Sequence, residues 1–239
     1  MSVVESDDVE FECETIEIAS YTFEITTIAY LPIEILMQNQ SKGVEISGQK
    51  IWCGSLTVAD YILANPQIVK DRVVVELGAG TGVLGMVCSR LGCARLLLTD
   101  NDPRSISHMK SDCKSNAVEA IVCTLDWFSP DVSILNSDDI SLTHELCVVA
   151  GDVLYKRILL EPFFITSCLL LQSRNQSCMY LCHVPRAGVE HSDVVNEANK
   201  QGLFIEEIQS RTGQNDNARK YCPDEDTARA KVYSIQLRT

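Results

Sequence analysis

The stretch VVVELGAGTGVLG, residues 73–85, joins an apolar run to a helix-like segment through bare backbone. Three glycines alternate at this junction, and they are Gly78, Gly80 and Gly82. Because glycine has no Cβ atom, such a turn allows a ligand to approach the main chain closely. Glu76 lies at the end of the apolar run, and Asp100 lies at the end of the next predicted strand. The pattern therefore predicts the binding of a ligand that carries hydroxyl groups and a positive charge.

Two ligand classes compete for this turn. Residues 80–85 match the dinucleotide pattern G-x-G-x-x-G, with Asp100 where a ribose-binding acid belongs, so a nicotinamide-dependent oxidoreductase is one interpretation. In that fold the first glycine of the pattern makes the turn out of the strand, whereas here Gly78 takes this place two residues earlier. Glu76 would also repel a pyrophosphate, but it would favour the ammonium and sulfonium groups of S-adenosylmethionine.

Three further motifs accompany the glycine turn. They are I-W-C-G-S-L at residues 51–56, L-D-W at 125–127 and G-D-V-L-Y at 151–155. Together with E-L-G-A-G-T-G, and in this order, they resemble the protein-lysine methyltransferases of family 16 over residues 45–208. One departure is Cys53, which stands where most members of that family have a proline after the tryptophan.

The resemblance implies a fold, a cofactor and a reaction. The fold is α/β, a Rossmann-like seven-stranded methyltransferase sheet with helices on both faces. The cofactor is S-adenosylmethionine, no metal is needed, and the reaction is methyl transfer to a lysine side chain of an intracellular protein. The implied cofactor-binding residues are Trp52, Glu76, Gly78, Ala79, Gly80, Asp100, Asp126, Trp127 and Ala150. The implied catalytic residues are Asp152 and Tyr155.

Several of these residues also have purely structural interpretations. Asp100 could cap the helix that Pro103 begins, Trp127 could belong to the core, and Asp152 could cap a helix over residues 155–172. At the level of function, methyl transfer to a small molecule or to another protein nucleophile stays open. A cofactor-binding scaffold without activity is a further alternative.

The order of predicted elements supports this fold class. From residue 72 onward, apolar runs alternate with helical patterns, as in a parallel sheet that is covered on both faces. Strands are predicted over residues 73–77, 95–99, 121–125, 146–150, 179–184, 204–208 and 231–237, with the last two antiparallel. Helices are predicted over residues 55–63, where Ser55 is the N-cap, and over 83–91, 103–115, 155–172 and 189–201.

The first part of the chain has a different character. We assign residues 1–49 to an acidic N-terminal β-hairpin extension, with a hairpin over residues 9–31 and a strand over 43–52, and residues 50–239 to the methyltransferase domain. Ten acidic side chains and one lysine lie in the extension, and the whole chain has a net charge of −13. This charge suits a basic protein partner and not direct nucleic-acid binding, and solubility alone explains it equally well.

The cysteines bear on the cellular compartment. The sequence has eleven of them, an odd number, and no C-x-x-C pair. Zinc binding by Cys178, Cys182 and His183 is conceivable, but reduced thiols in an intracellular protein are the preferred interpretation. Because no apolar run is long enough to span a bilayer, we expect no membrane segment. We further expect a monomer in the cytoplasm or nucleus.

Overall fold

The computed structural model describes residues 9–30, 47–136, 144–208 and 221–238. These residues form nine strands in two sheets. The strands are β1 Glu10–Ile18, β2 Tyr21–Tyr30, β3 Val73–Leu77, β4 Arg95–Asp100, β5 Ile121–Thr124, β6 Leu146–Gly151, β7 Cys178–His183, β8 Leu203–Ile208 and β9 Lys231–Leu237. The seven predicted strands of the methyltransferase domain are all present, with bounds within one residue of those expected.

The larger sheet has the strand order β5-β4-β3-β6-β7-β9-β8. Strands β3 to β7 pair in parallel, while β9 runs antiparallel to both β7 and β8, as predicted for the last two strands. All five residues of β3 are buried, which explains why its sequence is a continuous apolar run rather than an alternating one.

Helices cover both faces of this sheet. They are α1 Cys53–Ala64, α2 Val83–Arg90, α3 Pro103–Ser115, α4 Leu160–Gln172, α5 His191–Lys200 and the short α6 Asp224–Arg229. Side chains of α1, α2 and α3 share one hydrophobic cluster with one face of the sheet, and side chains of α4 and α5 share the other cluster with the opposite face. The predicted fold class, a Rossmann-like sheet between two helical layers, is confirmed.

The predicted N-terminal hairpin is also present. Strands β1 and β2 pair antiparallel as a separate two-stranded sheet. Its buried residues join the same hydrophobic cluster as α1, α2 and α3, and they include Ile16, Ile18, Phe23 and Ile25. Helix α3 also caps the edge of β2, because Asp112 Oδ2 accepts from the Thr26 backbone N–H at 2.9 Å. The hairpin is therefore packed on the core as well as tethered to it by sequence.

Three predicted boundaries differ from the structure. Residues 47–49 form a 3-10 helix and not part of a strand, while residues 43–46 lie outside the described residues. Helix α1 begins at Cys53, so Ser55 lies in its first turn and Trp52 takes the N-cap position. Tyr155 precedes a 3-10 turn, Arg157–Leu159, and α4 starts only at Leu160, so Asp152 is not a helix cap.

The residues that the structure describes contain neither a membrane-spanning helix nor a metal-binding cluster. No helix there has the length and apolar character that a membrane crossing requires. No group of three or more His, Cys, Asp or Glu side chains in these residues could hold a metal ion. All eleven cysteines are free thiols.

Candidate active site

A cavity of about 740 Å³ lies at the carboxyl ends of the parallel strands. Strand β3 pairs with β4 on one side and with β6 on the other, so the cavity lies where the strand order reverses. Open α/β sheets bind ligands at this switch point, and the volume is that of a site for a cofactor-sized molecule. Loops after β3, β4, β5, β6 and β7 all contribute to its wall.

The glycine turn forms one wall of the cavity. Gly78 and Gly80 have φ values of +62° and +55°, a backbone region that L-residues rarely adopt. A Cβ atom on Gly80 would lie 2.8 Å from the carbonyl oxygen of Gly48, so the turn could not keep its place with a larger residue. Gly78, Ala79 and Gly80 all line the cavity, as the sequence predicts.

Asp100 fixes the turn and also faces the cavity. Its Oδ2 accepts from the Gly80 backbone N–H at 2.8 Å, and its Oδ1 accepts from the Asp102 N–H at 2.9 Å. Burial raises the pKa of Asp100, which these hydrogen bonds oppose. The structural alternative is wrong, because Asp102 and not Asp100 caps α3. A carboxylate has about four acceptor sites, so beside its backbone donors Gly80, Asn101 and Asp102 the Asp100 carboxyl group can still accept a hydroxyl hydrogen bond from a ligand.

Asp126 and Trp127 form the wall that extends from β5. The ring of Trp127 packs edge-on against Phe163, with centroids 5.0 Å apart, and contributes to the cavity lining. Asp126 Oδ1 accepts from the Phe128 backbone N–H at 3.0 Å, which fixes the turn that carries the tryptophan. Trp127 is thus partly a core residue and partly a cavity residue, in agreement with both interpretations of the sequence.

The structure corrects the positions expected for two predicted cofactor-binding residues. Ala150 is fully buried within β6, and Gly151 is the residue of that strand which reaches the cavity. Glu76 is 1% exposed and does not line the cavity either. Its Oε2 accepts from the Gly85 backbone N–H at 2.8 Å, so it ties the end of β3 to the first turns of α2. Neither side chain therefore forms part of the cavity surface in this structure.

Burial also removes the charge that Glu76 was expected to carry. Desolvation raises the pKa of Glu76 to about 8; the hydrogen bond from Gly85 opposes this rise, and the nearby Asp100 adds to it. The side chain is therefore neutral near pH 7. It stabilises the glycine turn through the hydrogen bond from Gly85 and, being neutral, does not attract a cation in the cavity.

We expect the stability of the protein to depend on this buried acid. An unfolded glutamate has a pKa of about 4.3, so between about pH 4.3 and the folded pKa the unfolded chain releases a proton that the folded chain keeps. The stabilisation that the raised pKa of Glu76 gives the folded state is present in full below about pH 4.3 and is lost as the pH rises towards 8. We compare the free energy of unfolding of Glu76→Gln with that of wild type at each pH. The variant's value minus the wild-type value should be larger at pH 8 than at pH 5 by roughly 2–4 kcal/mol.

Denaturant unfolding at the two pH values measures this difference. Glu206→Gln, at an exposed position on β8, is the matched control, and its stability relative to wild type should be the same at both pH values. Equal pH dependence in Glu76→Gln and wild type would show that the carboxyl group is ionised in the folded protein.

Asp152 also lines the cavity, directly after β6 and next to Val153, whose side chain packs beside Gly78. Its φ of +61° places a non-glycine residue in the left-handed region, a strain that costs about 1–3 kcal/mol and is common at functional sites. Its backbone N–H donates to the Cys182 carbonyl oxygen at 2.9 Å. Helix α1 packs tightly behind it, because a Cβ atom on Gly54 would lie 2.6 Å from the Asp152 Cβ. The lack of a side chain at Gly54, in the tryptophan motif, thus allows α1 to pack against Asp152 and hold it in place.

The Asp152 carboxyl group is buried beside an arginine. Arg186 Nη2 donates to Asp152 Oδ2 at 2.5 Å and lies 3.4 Å from Asp226 Oδ2. The Asp152 Oδ1 atom is buried and has no hydrogen bond of good geometry among the described residues, although the Val184 backbone N–H interacts with this carboxyl group. Burial raises the pKa of Asp152 to about 6, with Arg186 lowering it and Asp226 raising it. Asp152 is therefore an ionisable group whose pKa lies near neutrality.

Trp52 and Tyr155 form a wall of the cavity with Asp152. The Trp52 Nε1–H donates to the Ser47 carbonyl oxygen at 2.7 Å, and the Ser47 hydroxyl donates to the Tyr155 hydroxyl oxygen at 3.2 Å. The Arg186 guanidinium lies over the Trp52 ring, 4.9 Å from its centroid. Trp52 keeps this position although Cys53 replaces the usual proline. The structure thus brings Trp52, Asp152 and Tyr155 together.

Sequence reasoning missed two residues of this wall, Arg186 and Ser47, and also Asp226, which pairs with Arg186. Arg186 follows β7 at the same sheet edge as the other candidates, and this position was the available signal. Asp226 belongs to α6, which follows the last motif in the sequence, and Ser47 precedes the first motif. Neither position carries a sequence signal, because only the tertiary fold brings them to Asp152 and Trp52.

Comparison with known proteins gives relatives of this chain. The profile of the lysine methyltransferase family matches residues 33–210. Human protein-lysine N-methyltransferase EEF2KMT is 30% identical over 120 residues, covering 46% of this chain and 36% of that protein. Human methyltransferase-like protein 22 is 25% identical over 176 residues, covering 65% and 43%. Xenopus laevis histone-arginine methyltransferase METTL23 is 26% identical over 135 residues, covering 54% of each.

Solved structures share the fold. The 16S rRNA N2 G1207 methyltransferase of T. thermophilus, in complex with AdoMet and guanosine, covers 95% of this chain and 51% of its own, with a TM-score of 0.58 and 16% identity. The sheet order and the cavity at its switch point thus define a Rossmann-like methyltransferase fold. Within this class, the chain belongs to the lysine methyltransferase family. It spans 36–54% of the length of the three curated relatives.

Proposed function

We propose that the protein transfers a methyl group from S-adenosylmethionine to a lysine side chain of another protein. Membership of the lysine methyltransferase family and the names of two relatives, EEF2KMT and methyltransferase-like protein 22, support this proposal. One observation carries it. In the same cavity as the glycine turn, Asp152 and Trp52 already hold a cationic side chain, that of Arg186.

The residues around the glycine turn fit the cofactor. The absence of Cβ atoms at Gly78 and Gly80 leaves backbone at the cavity surface, and Asp100 has lone pairs to accept from ribose hydroxyls. Trp127 offers an aromatic surface for the adenine ring, beside Asp126. When bound, S-adenosylmethionine supplies an electrophilic methyl group on a sulfonium. The contacts to this cofactor come from Gly78, Ala79, Gly80, Asp100, Asp126 and Trp127, and Trp52 closes the cavity on the nucleophile's side.

Asp152, Trp52 and Tyr155 would act on the lysine nucleophile. A free lysine ammonium has a pKa of about 10.4, so it must lose a proton before it can attack. Partial burial between Trp52 and Tyr155 favours the neutral amine, and the Asp152 carboxylate attracts the incoming ammonium and orients it. Because its own pKa is about 6, Asp152 is ionised at neutral pH and can also accept the proton.

Calorimetric titration tests the cofactor assignment. Purified protein should bind S-adenosylmethionine and S-adenosylhomocysteine and should not bind NAD. Tight NAD binding without a response to S-adenosylhomocysteine would establish the oxidoreductase interpretation instead.

Methyl transfer to arginine is a second candidate. The observation that favours it is the guanidinium group of Arg186, which lies between Trp52 and two carboxylates at the cavity wall. The name of one relative, histone-arginine methyltransferase METTL23, points the same way. Acid hydrolysis of a labelled substrate separates methyllysine from methylarginine and decides between the two.

We further propose that the substrate is basic and that the acidic hairpin helps to recruit it. The Glu10 and Glu12 side chains are exposed on β1, whereas Glu14 accepts from the Tyr221 hydroxyl at 3.0 Å and serves the fold. Eleven free thiols support a reducing compartment, the cytoplasm or nucleus, for this encounter. We expect a monomer that binds neither nucleic acid nor a membrane.

Neutralising the exposed part of the hairpin tests this recruitment. Glu10→Gln with Glu12→Gln should raise KM for the protein substrate by about 2–30-fold with little change in kcat, because surface charges contribute about 0.2–1 kcal/mol each. The effect should shrink as salt rises. Glu119→Gln with Glu206→Gln, two exposed acids elsewhere, is the matched control. Unchanged KM in the hairpin variant would leave the acidic strand with a role in solubility only.

A further inference from the structure

The Arg186 side chain makes the contacts that a substrate cation would make. Its guanidinium bonds to Asp152 Oδ2, approaches Asp226 Oδ2 at 3.4 Å and stacks over the Trp52 ring at 4.9 Å. Two carboxylates and an aromatic face are the groups that proteins use to bind ammonium and guanidinium ions. These three residues therefore form a complete cation site, which we call the Asp152–Asp226–Trp52 site.

Arg186 occupies this site without saturating it. Arg186 Nε is buried without a hydrogen-bond partner among the described residues, and Asp152 Oδ1 has no hydrogen bond of good geometry there, although the Val184 backbone N–H interacts with this carboxyl group. A buried ion pair that leaves such atoms unpaired gains less than a fully bonded one, because desolvation of the unpaired atoms is not compensated. The pair is therefore one that a competing cation with better contacts can displace.

The Asp152 side chain cannot be reached while Arg186 stays in place. Its side chain is 1% exposed, whereas that of Arg186 is 26% exposed and lines the cavity. Helix α1 closes the backbone side of Asp152, since Gly54 packs directly on its Cβ and N atoms. Arg186 covers the carboxylate end through its bond to Oδ2. An amine from the cavity must therefore meet Arg186 first.

The backbone around Arg186 allows its side chain to leave. The two residues that follow it, Ala187 and Gly188, are exposed and have φ values of +51° and +76°. They form the tip of a tight turn in which the backbone of Arg186 bridges to Val189. A rotation of the long arginine side chain towards solvent requires no movement of the buried sheet.

We propose that Arg186 is a built-in occupant of the substrate's cation site, and that the side chain to be methylated displaces it to reach Asp152. The inference rests on the proposed function, because it gives the Asp152–Asp226–Trp52 site to the substrate. It adds that in the free enzyme the Arg186 side chain blocks the Asp152–Asp226–Trp52 site. It also makes Asp226, and with it α6, part of substrate recognition.

Removal of Arg186 should open the site to a small cation. The chain has two tryptophans, so a Trp127→Phe background leaves Trp52 as the sole tryptophan fluorophore. With Arg186→Gly in this background, methylguanidinium chloride should change the Trp52 emission saturably, and NaCl at equal ionic strength should not. Addition of Asp152→Asn should abolish the change. The same background with Arg186 intact should respond at least about 10-fold more weakly, and a control with Arg157→Gly, an exposed ion-paired arginine, should match it.

A second measurement uses the wild-type chain and does not depend on the folding of a variant. Phenylglyoxal modifies accessible arginines, and peptide mass spectrometry locates the sites. The lysine-like cation n-butylammonium should raise the modification of Arg186 severalfold over an equal concentration of NaCl and leave that of Arg157 unchanged. Arg186→Lys should retain partial closure and give an intermediate Trp52 response to methylguanidinium.

The outcomes separate this inference from the proposed function. Absence of a saturable methylguanidinium response in folded Arg186→Gly, with Arg186 modification unaffected by n-butylammonium, overturns the inference even if the enzyme methylates lysine. If both signals appear, the cation site stands even where no methyl transfer to protein is found.

Discussion

Asp152→Asn is expected to lower the rate of methyl transfer by about 10²–10⁴-fold while the affinity for S-adenosylhomocysteine stays nearly unchanged. The amide keeps the shape of the side chain but cannot attract an ammonium or accept its proton. The Asp152 side chain bonds to Arg186, whereas Asp100 holds the glycine turn, so the loss of Asp152 should spare the cofactor. Single-turnover transfer to a protein substrate measures the first effect, and calorimetry measures the second.

A control separates this chemical role from a loss of stability. Asp131→Asn alters an exposed carboxylate that accepts from the backbone N–H and the hydroxyl of Ser133, with the backbone bond at 2.9 Å, and it should match wild type in both assays. Thermal unfolding of Asp152→Asn reports whether the unpaired Arg186 disturbs the fold. Wild-type turnover in a folded Asp152→Asn variant would contradict the role given to this carboxylate.

Asp100→Ala should produce the opposite division of effects. Loss of a charged hydrogen-bond acceptor costs about 1.5–3 kcal/mol, which predicts a roughly 10–150-fold weaker binding of S-adenosylhomocysteine. The variant also frees the backbone N–H groups of Gly80 and Asp102, so the glycine turn loses an anchor. At saturating cofactor, turnover should recover much of its wild-type value, because Asp152 and Trp52 are untouched.

Calorimetry with the Asp100→Ala and Asp131→Ala variants checks this prediction. Asp131 offers the matched control because its side chain lies outside the cavity lining. Affinity of Asp100→Ala within the range of the Asp131→Ala control would mean that Asp100 only shapes the turn.

The strands and the glycine turn could be predicted because local chemistry dictates them. The run Val73–Leu77 is buried on both faces of the sheet, so every residue in it must be apolar or, at Glu76, internally hydrogen-bonded. Gly80 must lack a side chain because Gly48 approaches it. Such requirements leave a direct trace in the residue types, and the order of the motifs placed them at one sheet edge.

Side-chain directions and long-range partners could not be predicted in the same way. The position of Glu76 at the strand end was correct, but strand periodicity alone did not show that its carboxyl group turns towards α2 and away from the cavity. Arg186 and Asp226 reach Asp152 across sequence separations of 34 and 74 residues, and no local pattern encodes such a meeting. Helix α1 starts before Ser55 because tight packing of Gly54 on Asp152, a tertiary contact, fixes its first turn.

Transfer of a labelled methyl group tests the central claim most directly. The purified protein is incubated with methyl-labelled S-adenosylmethionine and a cell extract, and the labelled protein band is hydrolysed to amino acids. We expect label in methyllysine, transferred by the wild type and by Asp131→Asn but not by Asp152→Asn. Label that appears only in small molecules or nucleic acid, or equally with Asp152→Asn, would contradict a protein-lysine methyltransferase that uses this cavity.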